Sequence, residues 1–195
     1  MGGAVSAPTM MALLEGCSPS EKGSTPFSLS TDYQSLVAEI AEIIIPETDT
    51  PGAKEAGVGP FIETMIKDCY TNAQGVHFKK GLDQVEEKAQ AMGGNFISLN
   101  LEQQTEILKA MEAAAKEEKQ AISDVKEVDA ETGKEKDDGK AAKQVTPFFN
   151  LAKELTIFGY YTSEIGATME RDYIPIPGRF EGCIPLEEGQ KAYAL

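Results

Sequence analysis

Residues able to carry out acid, base or metal chemistry are few in this sequence. There is one histidine, His77, and the three cysteines, Cys17, Cys69 and Cys183, are far apart in the chain. Neither the spacing of a zinc site nor that of a haem attachment motif occurs. We interpret His77 as a surface or capping residue, and Cys69 as an isolated thiol or a core residue at the end of an apolar segment.

Carboxylates in one predicted loop are the remaining candidates for catalysis. Glu47 and Asp49 could pair with Glu55 as an acid and a base, but exposed loop acids are common in so acidic a chain. The acidic residues between 129 and 138 lack the EF-hand spacing. A dinucleotide fingerprint, a P-loop and a nucleophile elbow are also missing. The sequence therefore predicts no catalytic, cofactor-binding or metal-ligating residue in this chain.

The composition limits the classes of partner. The chain has 195 residues, with 32 acidic against 18 basic residues and a formal net charge of −14. A nucleic-acid ligand requires a basic face, and an anionic membrane surface repels an acidic chain, so both partners are disfavoured. A hydrophobic fraction of 41% indicates a folded domain rather than a disordered chain.

The first 29 residues are predicted to be a signal-like remnant followed by a linker. Residues 1–14 carry no charge and are small or apolar, as in the hydrophobic part of an export signal, but no basic residue precedes Lys22. We therefore expect the original start to lie upstream. Residues 13–17 also resemble a lipobox, which makes Cys17 a candidate for lipidation; a plain signal remnant or a disordered tail is the alternative.

Apolar residues at helical spacing must position everything else. They predict an all-α fold, a small helical bundle with long loops, over residues 30–174. The predicted inward faces comprise Leu36, Ile40, Ile43 and Ile44; Phe61, Met65, Ile66 and Cys69; Phe78, Leu82, Val85, Ala89 and Met92; Leu101, Thr105, Leu108 and Met111; and Phe148, Phe149, Leu151, Leu155 and Phe158.

Two segments depart from this helical pattern. Residues 116–143 are mostly charged and predict an exposed insertion, either a hairpin around Thr132 and Gly133 or a disordered segment. Residues 175–195 are rich in proline, glycine and bulky apolar side chains. They predict an extended C-terminal tail that lies across its own domain or across another protein.

Three strings together resemble a known family. They are IIIPETDTPGAKEAGV at residues 43–58, LTIFGYYTSEIG at 155–166 and PGRFEGC at 177–183. Over about residues 33–190 the chain is similar to the gluconate 2-dehydrogenase subunit 3 family. The first two strings are specific in combination, whereas the helices between them are generic.

The resemblance implies a non-catalytic small subunit that escorts, exports and stabilises a larger one. The implied partner is the FAD-containing catalytic subunit, of the glucose–methanol–choline type, in a sugar or gluconate dehydrogenase complex. FAD and the catalytic histidine would belong to that partner, and a cytochrome subunit carrying haem often takes the electrons. Members typically carry a twin-arginine signal, so the resemblance implies a periplasmic, membrane-associated protein. This sequence lacks the arginine pair, and we therefore expect its signal to be incomplete.

The same resemblance directs attention to interface residues. We expect Tyr160, Tyr161, Arg179, Phe180 and Cys183 to contact the partner, although packing at a helix end also explains the two tyrosines. Gly182 precedes Cys183, and a glycine at this position permits close approach of another backbone. An intersubunit disulfide at Cys183 is therefore expected. The alternative is a free thiol or an internal bridge from Cys183 to Cys69. The competing function is a stand-alone cell-envelope lipoprotein or binding module without an enzyme partner.

Overall fold

The computed structural model describes residues 27–131, 145–176, 178, 183, 185 and 187–194, with side chains for all of these except 121–131. Its helices are α1 Thr31–Ile44, α2 Val58–Cys69, α3 Asn72–Ala91, α4 Leu101–Glu131 and α5 Phe148–Thr162. A 3-10 helix spans Phe96–Ser98, a π-helical turn spans Gly166–Glu170, and two short strands, β1 Asp172–Tyr173 and β2 Tyr193–Ala194, follow. The predicted all-α class is confirmed.

Local capping explains where the helices begin. The side chain of Ser30 accepts the N–H of Tyr33 at the start of α1, and Thr71 accepts the N–H of Gln74 at the start of α3. Asn100 precedes α4 in the same role, with its side chain accepting an N–H 2.9 Å away. Each cap satisfies a backbone donor that has no partner within the helix.

The helices bury their apolar faces around α5. Most of the predicted stripes of α1 and α3 is inside, with Leu36, Ile40, Leu82 and Val85 almost fully buried. The other predicted members, Ile43, Ile44 and Met92, are partly buried against the core. The predicted inward positions of Leu101, in the first turn of α4, and of Phe158, in α5, are wrong, because these residues are 66% and 52% exposed. The actual buried stripe of α4 begins one turn later and consists of Gln104, Ile107, Leu108, Met111 and Ala115.

The first part of the predicted charged insertion, residues 116–131, is helical. Helix α4 continues to Glu131, because alanine, lysine and glutamate are strong helix formers even without apolar neighbours. Lys116 adds an ion pair with Glu112 at 3.6 Å along the helix. The predicted hairpin around residue 132 lies outside the described residues, as do residues 1–26.

The C-terminal tail returns to its own domain. Strands β1 and β2 pair in parallel, with Asp172 opposite Tyr193 and Tyr173 opposite Ala194. Ala194 is buried, and the Nζ of Lys191 donates to the carbonyl of Met169 at 2.6 Å. Among the helices the structure describes, none combines the length and apolar character that a bilayer crossing requires.

Candidate functional site

The two long strings of the resemblance meet in space, although they are about a hundred residues apart in sequence. The hydroxyl of Tyr160, in the last turn of α5, donates to the carbonyl oxygen of Pro51 at 2.8 Å. The hydroxyl of Thr50 donates to Glu170 Oε2, also at 2.8 Å. We call this region, which comprises the loop 45–57, the end of α5 and the turn that follows it, the loop junction.

One carboxylate organises the loop side of the junction. Glu42, in the last turn of α1, accepts the backbone N–H of Glu47 at 2.9 Å and that of Lys54 at 2.8 Å. Gly52 lies against this carboxylate, and a Cβ atom there would stand 2.6 Å from the Glu47 nitrogen. Only glycine fits so close to the backbone, so the loop is held by Glu42 from inside.

The α5 side of the junction is held as tightly. Ser163 Oγ donates to the carbonyl of Tyr160 at 2.6 Å and accepts the N–H of Gly166 at 3.0 Å. Arg171 crosses the turn, with its Nη2 donating to the carbonyl of Tyr161 and its Nε donating to that of Gly166. Its guanidinium carbon lies 5.4 Å from the ring centre of Tyr161. The turn therefore presents an arginine on an aromatic face.

The two tyrosines of the predicted interface have different surroundings. Tyr160 is only 2% exposed, so its ring is part of the domain interior, whereas Tyr161 is exposed beside it with the two rings edge to face at 5.3 Å. Only Tyr161 therefore offers side-chain surface. The assignment of either residue to an interface stays a prediction.

The two cysteines within the described ranges do not pair with each other. Cys69 and Cys183 are both exposed and free, so the alternative of an internal bridge between them is wrong, and so is the interpretation of Cys69 as a core residue. An intersubunit bridge at Cys183 stays a prediction. Cys17, Arg179 and Phe180 lie outside the described residues.

The other candidate residues stand apart from the junction or are exposed on it. His77 lies within α3 rather than at its start, and its Nε2 is 3.6 Å from Glu118 Oε1 on α4. Glu47, Asp49 and Glu55 are exposed on the loop. Throughout the ranges given above, no three His, Cys, Asp or Glu side chains are grouped as a metal site would require.

Sequence reasoning missed the role of Glu42. The one local sign is its place in the last turn of a helix, where an acidic residue faces the negative end of the helix dipole and is unfavourable. That cost is offset by the two backbone N–H groups that the carboxylate receives. The side chains of the loop junction bind backbone groups of the same chain, and they hold the exposed surface of the junction in one conformation.

Comparison with known proteins gives one family. The family model for gluconate 2-dehydrogenase subunit 3 matches residues 31–178, which includes both strings of the loop junction. No curated protein and no solved structure gave a significant match to the chain. Because the family model covers most of the chain, this protein belongs to the gluconate 2-dehydrogenase subunit 3 family.

Proposed function

We propose that this chain is the non-catalytic small subunit of a sugar or gluconate dehydrogenase complex. In this proposal it escorts, exports and stabilises the FAD-containing catalytic subunit, which is of the glucose–methanol–choline type. The observation that carries the proposal is the family match across residues 31–178, since the family is described as subunit 3 of gluconate 2-dehydrogenase.

The geometry of the loop junction supports a scaffolding role. Two of its polar side chains are committed to the chain itself: the Tyr160 hydroxyl to Pro51, and the Glu42 carboxylate to two backbone N–H groups. Groups bound in this way stabilise one conformation of a surface. A small subunit that must fit a folded partner requires such a preformed surface, because ordering a loop during binding weakens affinity.

The cofactors and the location follow from the same proposal. FAD, with the catalytic histidine, belongs to the partner, and a cytochrome subunit with haem accepts the electrons. The complex then lies in the periplasm, at the membrane. Cys183 of this chain is free and exposed, and an oxidising compartment permits an intersubunit disulfide at this residue.

Co-expression tests the escort role. The catalytic subunit is produced with and without the full-length chain, and the exported fraction is assayed for soluble flavoprotein, bound FAD and sugar oxidation. We expect all three to rise when the chain is present, because a bound partner stabilises the folded state by mass action. The purified chain alone is expected to bind no FAD and to oxidise no sugar.

The control replaces this chain with an unrelated exported protein of similar size and net charge. An equal yield of active flavoprotein in the two cultures would contradict the escort role. Turnover of sugar by the purified chain alone would contradict the non-catalytic role. Mass spectrometry of the mature chain tests lipidation at Cys17, and an acylated monomer without a flavoprotein partner would support the envelope-lipoprotein alternative instead.

A further inference from the structure

The solvent side of the second half of α5 is apolar. Ile157 and Phe158 are 42% and 52% exposed, and Tyr161 is exposed one turn later. Phe61 of α2 lies beside Phe158, with ring centres 5.8 Å apart. Gly159 makes this approach possible, because a Cβ there would stand 2.6 Å from Phe61 Cδ1. We call Phe61, Ile157, Phe158 and Tyr161 the aromatic ridge.

The ridge ends at a cation that makes no ion pair with an acidic side chain in the part of the chain that the structure describes. Arg171 lies over the ring of Tyr161 and donates to two backbone carbonyls, which uses two of the five N–H donors of a guanidinium. None of the ion pairs among the described residues includes Arg171, although the chain contains 32 acidic residues. A carboxylate supplied by a binding partner would form a charge-assisted hydrogen bond with the remaining donors.

We propose that the aromatic ridge and Arg171 form the docking surface for the catalytic subunit. The matching face of that subunit is apolar and carries a carboxylate opposite Arg171. This inference rests on the proposed function and adds to it the place of contact. Aromatic and arginine side chains dominate the energetics of protein interfaces because they bury large areas around one directed polar contact.

Charge separates this occupant from two others. In a symmetric dimer the same surface serves both copies, and the four residues of the ridge include no carboxylate to receive the second copy's Arg171. An anionic membrane is disfavoured by the net charge of −14. A partner protein with an apolar face and a carboxylate meets both requirements of the surface.

Binding of purified catalytic subunit to the full-length chain tests the assignment. Phe158→Ser is expected to raise the dissociation constant by about 30-fold or more, the effect of losing an interface hot spot. Arg171→Gln is expected to raise it by about tenfold and to reduce the dependence of affinity on salt, since a charged contact is lost. The matched control is Leu101→Ser, which removes an exposed apolar side chain from the start of α4 and should leave binding unchanged.

Thermal melting of each variant shows whether it is folded, and an exposed substitution such as Phe158→Ser should leave the melting temperature nearly unchanged. If the wild-type chain binds and Phe158→Ser binds equally well, the ridge assignment is overturned while the proposed function stands. If the wild-type chain itself does not bind, the proposed function fails as well.

Two further measurements address the other occupants. Sedimentation of the chain alone is expected to show the same mass for wild type and Phe158→Ser, and flotation with phosphatidylcholine vesicles is expected to show no binding. A dimer dissolved by Phe158→Ser would assign the ridge to a second copy. Vesicle binding lost in Phe158→Ser would assign it to a lipid surface. Either result would overturn the proposal.

Discussion

The hydroxyl of Tyr160 connects the loop junction across 109 residues of sequence. Tyr160→Phe keeps the buried ring and removes only this donor, which leaves the carbonyl of Pro51 without its partner. We expect the free energy of unfolding to fall by about 1 kcal/mol, the usual net value of one such bond. Urea unfolding of the two proteins, followed by circular dichroism, measures the difference.

The neighbouring tyrosine provides the control. Tyr161→Phe also removes one hydroxyl, but its ring is exposed, and water solvates the position. We expect its unfolding free energy to stay within about 0.5 kcal/mol of wild type, as for most surface changes. Equal losses in the two variants would show that the Tyr160 bond contributes nothing specific.

Ionisation of Tyr33 is expected to make the stability of the folded chain depend on pH in the alkaline range. Its hydroxyl donates to Asp83, and this bond, followed by burial and by the negative charges of Asp83 and Glu86, raises the pKa of Tyr33 above its usual 10.0. Because the folded pKa exceeds the unfolded one, the stabilisation is complete below pH 10.0 and is lost as pH rises through the folded pKa. The stability of wild type should therefore fall more steeply than that of Tyr33→Phe above this pH.

Urea unfolding between pH 8 and pH 11.5 tests this expectation. Asp83→Asn is the matched control, since it keeps the tyrosine and removes the carboxylate that is the main cause of the raised pKa. The extra loss of stability at high pH should be much reduced in that variant. Parallel pH profiles of wild type and Tyr33→Phe would contradict the assignment.

Within the helices, the spacing of the apolar residues predicted most of the buried positions. The stripe of Phe78, Leu82, Val85 and Ala89 is fully inside, because a period of 3.6 residues places these side chains on one face regardless of the rest of the fold. The orientation of Leu101 was not predictable in the same way. A helix's first turn can extend past its neighbours, and only the packed structure shows whether it does.

Periodicity in the sequence could not predict the loop junction either, for a related physical reason. The bonds that form it join Pro51 to Tyr160 and Thr50 to Glu170, and no period in the sequence connects positions so far apart. The strings themselves were recognisable, and so was their combination. What they do, holding one loop against one helix end, depends on three-dimensional contacts that a local pattern does not contain.

Helices α3 and α5 approach each other through a glycine. Gly81 lies in the middle of α3, and a Cβ there would stand 2.5 Å from Phe148 Cβ at the start of α5. In an open helix, Gly81→Ala would add about 1 kcal/mol of stability. Here the clash costs roughly 1–3 kcal/mol, and we expect a net loss, measured as a lower urea midpoint.

A double variant distinguishes the clash from other effects. Phe148→Ala alone removes a buried ring that packs 5.0 Å from Phe78 and should be destabilising. In combination with Gly81→Ala, it removes the Cγ and Cδ2 atoms that would stand closest to the new methyl group, so the two losses should sum to more than the loss in the double variant. Strict additivity would contradict direct contact. Lys80→Ala, one residue earlier and exposed, should be tolerated.

Net charge acts on the molecule as a whole. The formal charge is −14, and one cleft between α1 and α3 is lined by Asp32, Asp83, Glu86 and Glu87. Mutual repulsion of this kind destabilises a compact chain and is screened by salt, since the Debye length falls from about 30 Å at 0.01 M to about 10 Å at 0.1 M. The melting temperature should therefore rise by a few degrees between 0.01 M and 0.3 M NaCl.

Single charge removals test whether repulsion is the cause. Glu87→Gln removes one carboxylate from the acidic cleft, so it should raise the melting temperature at low salt and reduce the further rise with salt. Glu39→Gln removes the same charge but also loses the 2.7 Å ion pair with Lys54, so at low salt its gain should be smaller or absent. A wild-type melting temperature that falls with added salt would mean that attractive pairs outweigh repulsion.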